Sequence, residues 1–352
     1  MAICGRHRFS RLALSAVLAA TALAPAAGQA RWTLPRTPDG RPDLQGIWTN
    51  ETITPVERPV EFKTLVLNEE EAARLENVVA DRTDRLAQPS DPNRTAPPKG
   101  GDGSTGAAGN VGGYNNFWLD AGSRVATING ERRSSLVVDP ANGRIPPQTE
   151  QARKRTLARM AVNRDRGGEY DHPEFRPLAE RCLLSFGSSA GPPMLPNYFY
   201  NNNYQIVQTP DQVMILVEMV HDVRVIRLNA KEHPPKHIRP WMGDSIGRWE
   251  GDTLVVETTN FHPLQVFRGA SENLRVIERF TRVGEKALLY AFTIDDPTTF
   301  TAQWSGEVPF TKTDEVIYEY ACHEGNYALS NILSGERDRE RRKSQNPTQK
   351  EK

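Results

Sequence analysis

Short segments in which every second residue is apolar fill the second half of the chain, and turn residues separate them. Between residues 287 and 295, for example, the apolar side chains of Leu288, Tyr290 and Phe292 take alternate positions. A period of two residues is typical of a β-strand with one buried face. The pattern predicts nine strands, near residues 204–209, 213–220, 222–228, 246–250, 253–260, 273–283, 287–295, 300–309 and 315–322.

Short turns connect many of these strands, at residues 209–212, 250–252, 283–286 and 311–314. Short connections favour antiparallel pairing of strands that are consecutive in the sequence. Eight or so such strands commonly close into a barrel or a sandwich, since both arrangements protect strand edges. We therefore predict a mostly β protein in which an antiparallel meander closes into a lipocalin-like barrel, with a sandwich as the alternative.

The first half of the chain contains fewer strands, two helices and long loops. A strand is predicted at residues 43–48, and two more near 123–129 and 134–139. Asn68 and Glu71 form a capping-box pattern that opens a helix to about residue 87, and Thr149 caps a second helix to about residue 163. One apolar stripe predicts that the first helix packs on one side only, and it comprises Leu75, Val78, Val79, Arg82 and Leu86.

Composition divides the rest of the chain into three parts. Residues 31–200 carry the first strand and both helices, residues 201–330 the β meander, and residues 331–352 a charged tail. Residues 88–113 are rich in proline, glycine and serine, which predicts a mobile loop. Gly101, Gly103 and Gly106 in this loop match a dinucleotide-binding pattern, but no predicted strand precedes them and no apolar helix follows. We therefore expect no nucleotide and no other cofactor.

The first 30 residues have the pattern of a cleaved signal peptide. Arg6, Arg8 and Arg11 precede an apolar run at residues 12–24, and small residues around Ala30 form a cleavage site. The apolar run is too short to remain as a membrane anchor. The pattern predicts a periplasmic or secreted protein without a stable membrane anchor.

Removal of these residues leaves 41 basic and 44 acidic side chains, a formal charge of −3. This balance gives no basic surface for a nucleic acid, so the expected partner is a small molecule. Cys182 and Cys322 remain in the mature chain. An oxidising compartment permits them to pair, and two buried free thiols are the alternative. The oligomeric state stays open.

Ionisable side chains interrupt the apolar segment around residue 220. In a continuous strand, Glu218, Asp222 and Arg224 share one face, and His221 lies on the other. Burial of an unpaired charge costs several kcal/mol, so these groups either form a salt-bridge ladder or line a polar cavity. His221 is either a core histidine or a general acid–base, a role that suits an imidazole.

The end of the last predicted strand carries a second candidate site. His323 and Glu324 follow Cys322 there, at a position expected to lie near the mouth of a barrel. A neighbouring carboxylate can orient an imidazole for acid–base chemistry. Cys322 is an unfavourable nucleophile, because adjacent side chains in a strand point apart and His323 does not reach it.

Arginine and tryptophan side chains between residues 237 and 249 form a third candidate. Arg239, together with Trp241 and Trp249, can clamp a carboxylate or stack on an aromatic ring. The alternative is a polar loop with two half-buried tryptophans. Further predicted ligand contacts are Tyr114, Phe117, Trp118, Tyr198, Phe199, Tyr200 and Asn203.

Histidine spacing gives little support for a metal site. His233 and His237 are four residues apart, but Pro234 and Pro235 lie between them. Prolines at these positions exclude the helix that would bring the two imidazoles together. We therefore expect no metal.

Several phrases of the sequence resemble known families. Gly46-Ile47-Trp48 in the first strand resembles the G-x-W signature of lipocalin-like barrels. The chain as a whole is similar to a large family of uncharacterised secreted bacterial proteins, in the phrases PRTPDGRPDLQGIWTN, YNNFWLD, SSLVVDPANGRIP, YNNNYQIVQTPD, GRWEGDTLVVETTNF and YEYACHEGN. This resemblance implies export and a common fold, and it carries no activity.

These patterns lead to two functional hypotheses. The first is an exported, cofactor-independent enzyme of lyase, isomerase or hydrolase type that acts on a small, partly aromatic molecule. His221 or His323 would supply acid–base catalysis, and Arg224 and Arg239 would stabilise negative charge. The second is a periplasmic binding protein that holds an apolar or aromatic ligand without chemistry.

Overall fold

The computed structural model describes residues 32–87, 120–165, 168–185, 191–197 and 202–345. The side chains of residues 86, 87, 163–165 and 221 lie outside this description. The predicted signal peptide and the predicted loop at 88–113 also lie outside it. The chain from Leu34 onwards forms one compact unit.

Twelve strands and three α-helices make up the described residues, besides short turns of 3-10 helix. The strands are β1 (Gly46–Thr49), β2 (Thr127–Ile128), β3 (Glu131–Arg132), β4 (Val137–Asp139), β5 (Asn203–Gln208), β6 (Gln212–Val217), β7 (Val223–Arg227), β8 (Asp244–Glu250), β9 (Thr253–Thr259), β10 (Arg275–Arg282), β11 (Ala287–Asp295) and β12 (Trp304–Thr313). The helices are α1 (Glu69–Ala87), α2 (Glu150–Asp165) and α3 (Ala328–Gln345).

Nine of the strands form a closed barrel, in the order β1-β5-β6-β7-β8-β9-β10-β11-β12. The ring closes where β12 pairs with β1, with Ile47 opposite Thr313. β4 pairs with β12 outside the ring. The prediction of a mostly β barrel is confirmed, and the G-x-W strand from the first half of the chain is the strand that closes it.

One pair of barrel strands is parallel, so the expected antiparallel meander is wrong at this point. Ile226 of β7 lies opposite Ser245 of β8 in a parallel register. Residues 228–243 connect the two strands and contain Pro234, Pro235 and Pro240. A connection of this length can return the chain to the end from which β7 started, which a two-residue hairpin turn cannot do.

The strand predicted at residues 315–322 does not form. β12 instead extends to Thr313, and its neighbours within the ring are β11 and β1. The ring therefore has no free edge at which another strand could pair. Val316 and Tyr318, which alternate in the sequence, are both exposed.

Both predicted helix starts are confirmed. The Asn68 side chain accepts from the Glu71 N–H at 2.8 Å, and Glu71 Oε2 accepts from the Asn68 N–H at 2.9 Å. Thr149 Oγ1 accepts from the Ala152 N–H at 3.1 Å. The predicted stripe on α1 is wrong for Val78 and Arg82, which are both exposed, because the packed face of the helix instead includes the buried Ala72.

Aromatic side chains pack the interior of the barrel. Tyr290 contacts Phe280 and Phe310 with ring centroids 5.1 and 5.6 Å apart. Trp304 meets Phe292 edge to face at 5.6 Å. All five side chains are almost completely buried. Full burial of a large apolar side chain contributes about 1.5–3 kcal/mol, so this cluster is a main source of the barrel's stability.

A disulfide bond joins Cys182 to Cys322, with Cα atoms 5.7 Å apart. The sequence left this pairing open. The bond spans a sequence separation of 140 residues and ties the segment after β12 to residues 168–185. It therefore holds a segment that lies outside the barrel ladder.

Candidate functional site

Arg224 lies inside the barrel, where it forms an ion pair with Glu278. The two side chains are 2% and 0% exposed, and Arg224 Nη1 donates to Glu278 Oε1 at 2.8 Å. Arg224 Nε and Nη2 also donate to Ser245 Oγ at 3.1 Å and Thr258 Oγ1 at 3.0 Å. Such a dense set of hydrogen bonds is the condition under which a buried ion pair is tolerated. Arg224 thus pairs with an acid on another strand.

Tyr290 connects this ion pair to one end of the barrel. Its hydroxyl donates to Glu278 Oε1 at 2.9 Å and accepts from the Met194 N–H at 3.0 Å. Burial and the charge of Glu278 raise the pKa of Tyr290, so the hydroxyl stays protonated. The Met194 carbonyl in turn accepts from Asn50 Nδ2 at 3.4 Å. Polar contacts therefore run from the interior to the barrel end.

Asn50, Asn202 and Asn203 mark the end of the barrel at which β1 ends and β5 begins, which we call the asparagine end. The Asn50 N–H donates to the Asn202 carbonyl at 3.2 Å. Asn202 Nδ2 donates to the carbonyls of Asn197, at 2.8 Å, and of Asp120. Asn202 is completely buried. Its hydrogen bonds therefore link the segments around Asn50, Asp120 and Asn197 to one another.

Asp120 at the asparagine end has a strongly perturbed carboxyl group. Burial, together with a hydrogen bond and the charge of Glu51, raises the pKa of Asp120 from 3.8 to about 7. The Asn202 N–H donates to Asp120 Oδ2 at 3.4 Å. This hydrogen bond lowers the pKa of Asp120 and so opposes the increase. A carboxyl group that titrates near neutral pH can act as either an acid or a base.

We expect Asp120→Asn to change how the free energy of unfolding depends on pH. The folded-state pKa of Asp120 lies above its ordinary value, so its contribution to stability is complete below about pH 4 and is lost as pH rises through about 7. Asparagine does not titrate. Because Asp120 is only partly buried and solvent screens its charge, urea unfolding should show the variant gaining at most on the order of 2 kcal/mol over the wild type between pH 5 and pH 8.

The matched control for this prediction is Glu51→Gln. It removes the charge that acts on Asp120 and leaves the titrating group in place, so the wild-type pH dependence should shrink without disappearing. Parallel pH profiles for the wild type and Asp120→Asn would contradict the raised pKa.

Glu218 lies beside Asn203 on the outer side of the asparagine end. Its carboxylate accepts from Asn203 Nδ2 and from the Tyr318 N–H, both at 3.1 Å. The residue is 3% exposed, and no basic side chain in the described part of the chain forms an ion pair with it. Asn203 Oδ1 is buried too, with no donor among the described residues. Among the described residues, Glu218 thus has hydrogen-bond donors but no positively charged partner, and Asn203 Oδ1 has no donor.

A cavity of about 220 Å³ lies between the end of β6 and the segment after β12. It is lined by Leu216, Val217, Glu218, Ile317, Tyr318 and Glu319. Apolar side chains form much of the wall, and both ionisable groups are acidic. The arrangement can accept a small cation that carries an apolar body.

A turn of 3-10 helix at Met219–His221 separates β6 from β7. The Val217 N–H donates to the Asp222 carbonyl at 2.8 Å, which closes the turn. The strand predicted at residues 213–220 therefore ends at Val217. The expectation that Glu218, Asp222 and Arg224 share one strand face is wrong, since Glu218 contacts the outer segment and Arg224 the interior.

His323 and Glu324, predicted at the end of a last strand, lie instead in the irregular segment after β12. Both residues are exposed. The Asn326 N–H donates to the His323 carbonyl at 3.2 Å. The strand that would have placed them at the barrel mouth is absent from the described residues, because the ring is already closed.

The third predicted cluster is divided between two places. Arg239 Nη1 donates to the carbonyls of Phe261, at 3.2 Å, and Glu272, at 3.0 Å. The rings of Trp241 and His262 are in contact, with centroids 3.9 Å apart and planes tilted by 33°. Burial and the charge of Arg239 lower the pKa of His262, which favours a neutral imidazole.

Trp249 lies at the far end of β8. Its ring is 5.9 Å from the guanidinium of Arg41. Arg248, one residue earlier, pairs with Glu250 at 2.6 Å. The structure therefore separates Trp249 from the Arg239–Trp241 pair, with which the sequence had grouped it.

Several predicted contacts fall outside the described part of the chain. They are the His221 side chain and Tyr114, Phe117, Trp118, Tyr198, Phe199 and Tyr200. Among the described residues, no group of three or more His, Cys, Asp or Glu side chains is placed to hold a metal ion. None of the described helices is long and apolar enough to cross a membrane.

Sequence analysis missed a ladder of ion pairs on the outer wall of the barrel. His233 Nδ1 lies 2.6 Å from Asp244 Oδ2, and its Nε2 lies 3.6 Å from Glu257 Oε1. Arg227 and Arg275 pair with these carboxylates at 2.7 and 2.6 Å. Hydrogen bonding from Arg275 lowers the pKa of Glu257. One loop and four strands supply these groups, so no local pattern in the sequence groups them.

The geometry therefore places two candidate sites at the asparagine end, the Asp120–Glu51 carboxyl pair and the cavity beside Glu218. No profile of a known protein family matches the chain, and no match is found among the curated proteins or the solved structures.

Proposed function

We propose that the chain is an exported protein that binds a small organic amine in the cavity beside Glu218. The observation that carries this proposal is a carboxylate 3% exposed, at the wall of a 220 Å³ cavity, without a basic partner among the described residues. A barrel that is rigid around its packed interior is suited to hold such a site in place.

The charge of the cavity favours a protonated amine as the ligand. Glu218 and Glu319 supply two carboxylates, and Asn203 Oδ1 supplies a further buried acceptor next to Glu218. Hydrogen bonds between an ammonium group and a carboxylate are charge-assisted and contribute about 1.5–3 kcal/mol. A ligand ammonium group would also offset the free energy that a lone buried carboxylate costs.

The walls favour an apolar or aromatic body on the same ligand. The lining includes three aliphatic residues, Leu216, Val217 and Ile317, and one aromatic residue, Tyr318. The volume suits a ligand of roughly one aromatic ring, smaller than a drug-sized molecule. Phenylalkylamines combine both properties.

Benzylamine tests this proposal against benzyl alcohol, which has the same ring and no charge. We expect calorimetric titration to show that benzylamine binds the wild type, and that Glu218→Gln weakens its affinity by about tenfold or more, given the strength of a charge-assisted hydrogen bond. Benzyl alcohol should not distinguish the two proteins.

Glu315→Gln serves as the matched control. It removes one negative charge from the same segment and leaves the residues that line the cavity intact. Its affinity for benzylamine should stay within about twofold of the wild type, since exposed charges interact weakly in water. Equal binding of benzylamine to the wild type and Glu218→Gln would refute the proposal.

Acid–base catalysis is the second candidate function, and the raised pKa of Asp120 favours it. Asp120 and Glu51 form a carboxyl pair in which one group retains its proton near neutral pH. Such a pair can transfer a proton to or from a bound molecule. Should a substrate of the protein be turned over, Asp120→Asn would abolish turnover and leave benzylamine binding at Glu218 unchanged. In this second proposal Asp120 transfers the proton, whereas the sequence suggested His221 or His323 for that role.

A further inference from the structure

Arg58 is a buried arginine on the segment between β1 and α1. The residue is 5% exposed. The backbone N–H of Arg58 donates to the Gly143 carbonyl at 2.9 Å. Hydrogen bonds from Leu136 and Val137 to Pro55 and Val56 hold the preceding residues beside β4. The backbone around Arg58 is therefore fixed.

The guanidinium of Arg58 has no partner for one of its edges. Nε and Nη2 are buried without a hydrogen bond to any residue that the structure describes. No carboxylate among the described residues forms an ion pair with Arg58, and the adjacent Glu57 uses Oε1 to accept from the Ile145 N–H at 2.9 Å. The N–H groups of Nε and Nη2 point the same way along one edge of the planar guanidinium, so this edge presents a fork of two donors.

Another arginine of the same chain shows what such a fork binds. Arg176 is also buried, and its Nε and Nη2 donate to the two carboxylate oxygens of Glu180 at 2.8 and 2.9 Å. This two-point contact is the geometry in which arginine recognises a carboxylate. The Arg58 fork offers the same two donors, and no acid of the described residues pairs with it.

We propose that Arg58 binds a small carboxylate ion through Nε and Nη2. Arginine keeps its charge at all ordinary pH values, so burial does not remove the need for a counter-ion. An unpaired buried charge lowers stability strongly, and a carboxylate from solution would restore the pairing. The site is separate from the proposed amine cavity and does not depend on it.

The surroundings of Arg58 limit the ligand to a small one. A Cβ atom added to Gly143 would lie 2.9 Å from Arg58 Nε and 2.9 Å from Ser135 Oγ. Gly143 has φ +69°, so the backbone there needs glycine as well. Since the packing is this close, formate or acetate suits the fork better than a larger acid.

Thermal and urea unfolding of the full mature chain in formate tests the proposal, with chloride at equal ionic strength as the reference. A ligand that binds only the folded state at ten times its dissociation constant raises the folding equilibrium constant about 11-fold. We expect formate to stabilise the wild type in this saturable way. Arg58→Met should not respond, and in chloride it should be at least as stable as the wild type, because it removes an unpaired buried charge.

Two further variants keep the test decisive. Arg58→Lys retains the charge without the fork, so its response to formate should fall by tenfold or more even if the methionine variant folds poorly. Arg144→Met removes a positive charge from the adjacent loop and should respond as the wild type does. The proposal is overturned if formate has no effect on the wild type, or if it stabilises the wild type and both Arg58 variants equally. A response to phosphate that exceeds the response to formate would reject the carboxylate as the preferred ion.

Discussion

Replacing Glu278 by glutamine is expected to reduce the free energy of unfolding by about 3–5 kcal/mol, because the substitution leaves Arg224 charged and unpaired inside the barrel. Arg224 donates to Glu278, Ser245 and Thr258, and only Glu278 carries a negative charge among these three. The hydroxyl of Tyr290 also loses its charged acceptor. Urea unfolding at neutral pH, followed by tryptophan fluorescence, measures the change.

The double variant Arg224→Met with Glu278→Leu is the control for this prediction. It removes both charges and fills the space with apolar groups, which is often neutral or stabilising for a buried ion pair. We expect it to be markedly more stable than Glu278→Gln. If Glu278→Gln were as stable as the wild type, the pair would not be buried and compensated as the structure describes it.

Replacing both cysteines of the disulfide by serine is expected to cost about 2–5 kcal/mol. The bond closes a long loop, with a sequence separation of 140 residues. Its removal increases the conformational freedom of the unfolded chain, and it also releases the segment after β12 in the folded chain. The free energy of unfolding of the double serine variant, compared with the wild type under oxidising conditions, measures the loss.

The same variant should also weaken binding of benzylamine. Ile317, Tyr318 and Glu319 line one side of the cavity, and the disulfide at Cys322 lies close to them in sequence. When the segment is released, ordering it on binding costs additional conformational entropy. Reduced wild-type protein should behave as the serine variant does. Full stability and affinity after reduction would show that the barrel contacts alone hold the segment.

The packed interior of the barrel explains why both proposed sites lie at its end. Aromatic side chains fill the space between the strands, and the Arg224–Glu278 pair lies among them. Hydrogen bonds lead from that pair through Tyr290 and Met194 to Asn50. The described groups that we propose for ligand contact therefore lie where the strands end and other segments pack against them.

Local patterns in the sequence determined most of the strands and the helix starts. The alternation at 287–295 matches β11 in both bounds, and the reciprocal hydrogen bonds of Asn68 and Glu71 follow from their spacing of three residues. Hydrophobic period and capping depend on neighbours within a few residues, so one sequence is sufficient to predict them. β1, the barrel strand that comes from the first half of the chain, contains the phrase Gly46-Ile47-Trp48.

Only the tertiary structure decided which of these pieces meet. The partner of Arg224 is Glu278, 54 residues away, and the pKa of Asp120 depends on Glu51 and on burial by segments remote in sequence. The strand predicted at 315–322 does not form for the same reason, because β1 already pairs with the edge of β12. Pairing of distant strands and the placing of buried charges are properties of the closed ring, which no short window of sequence contains.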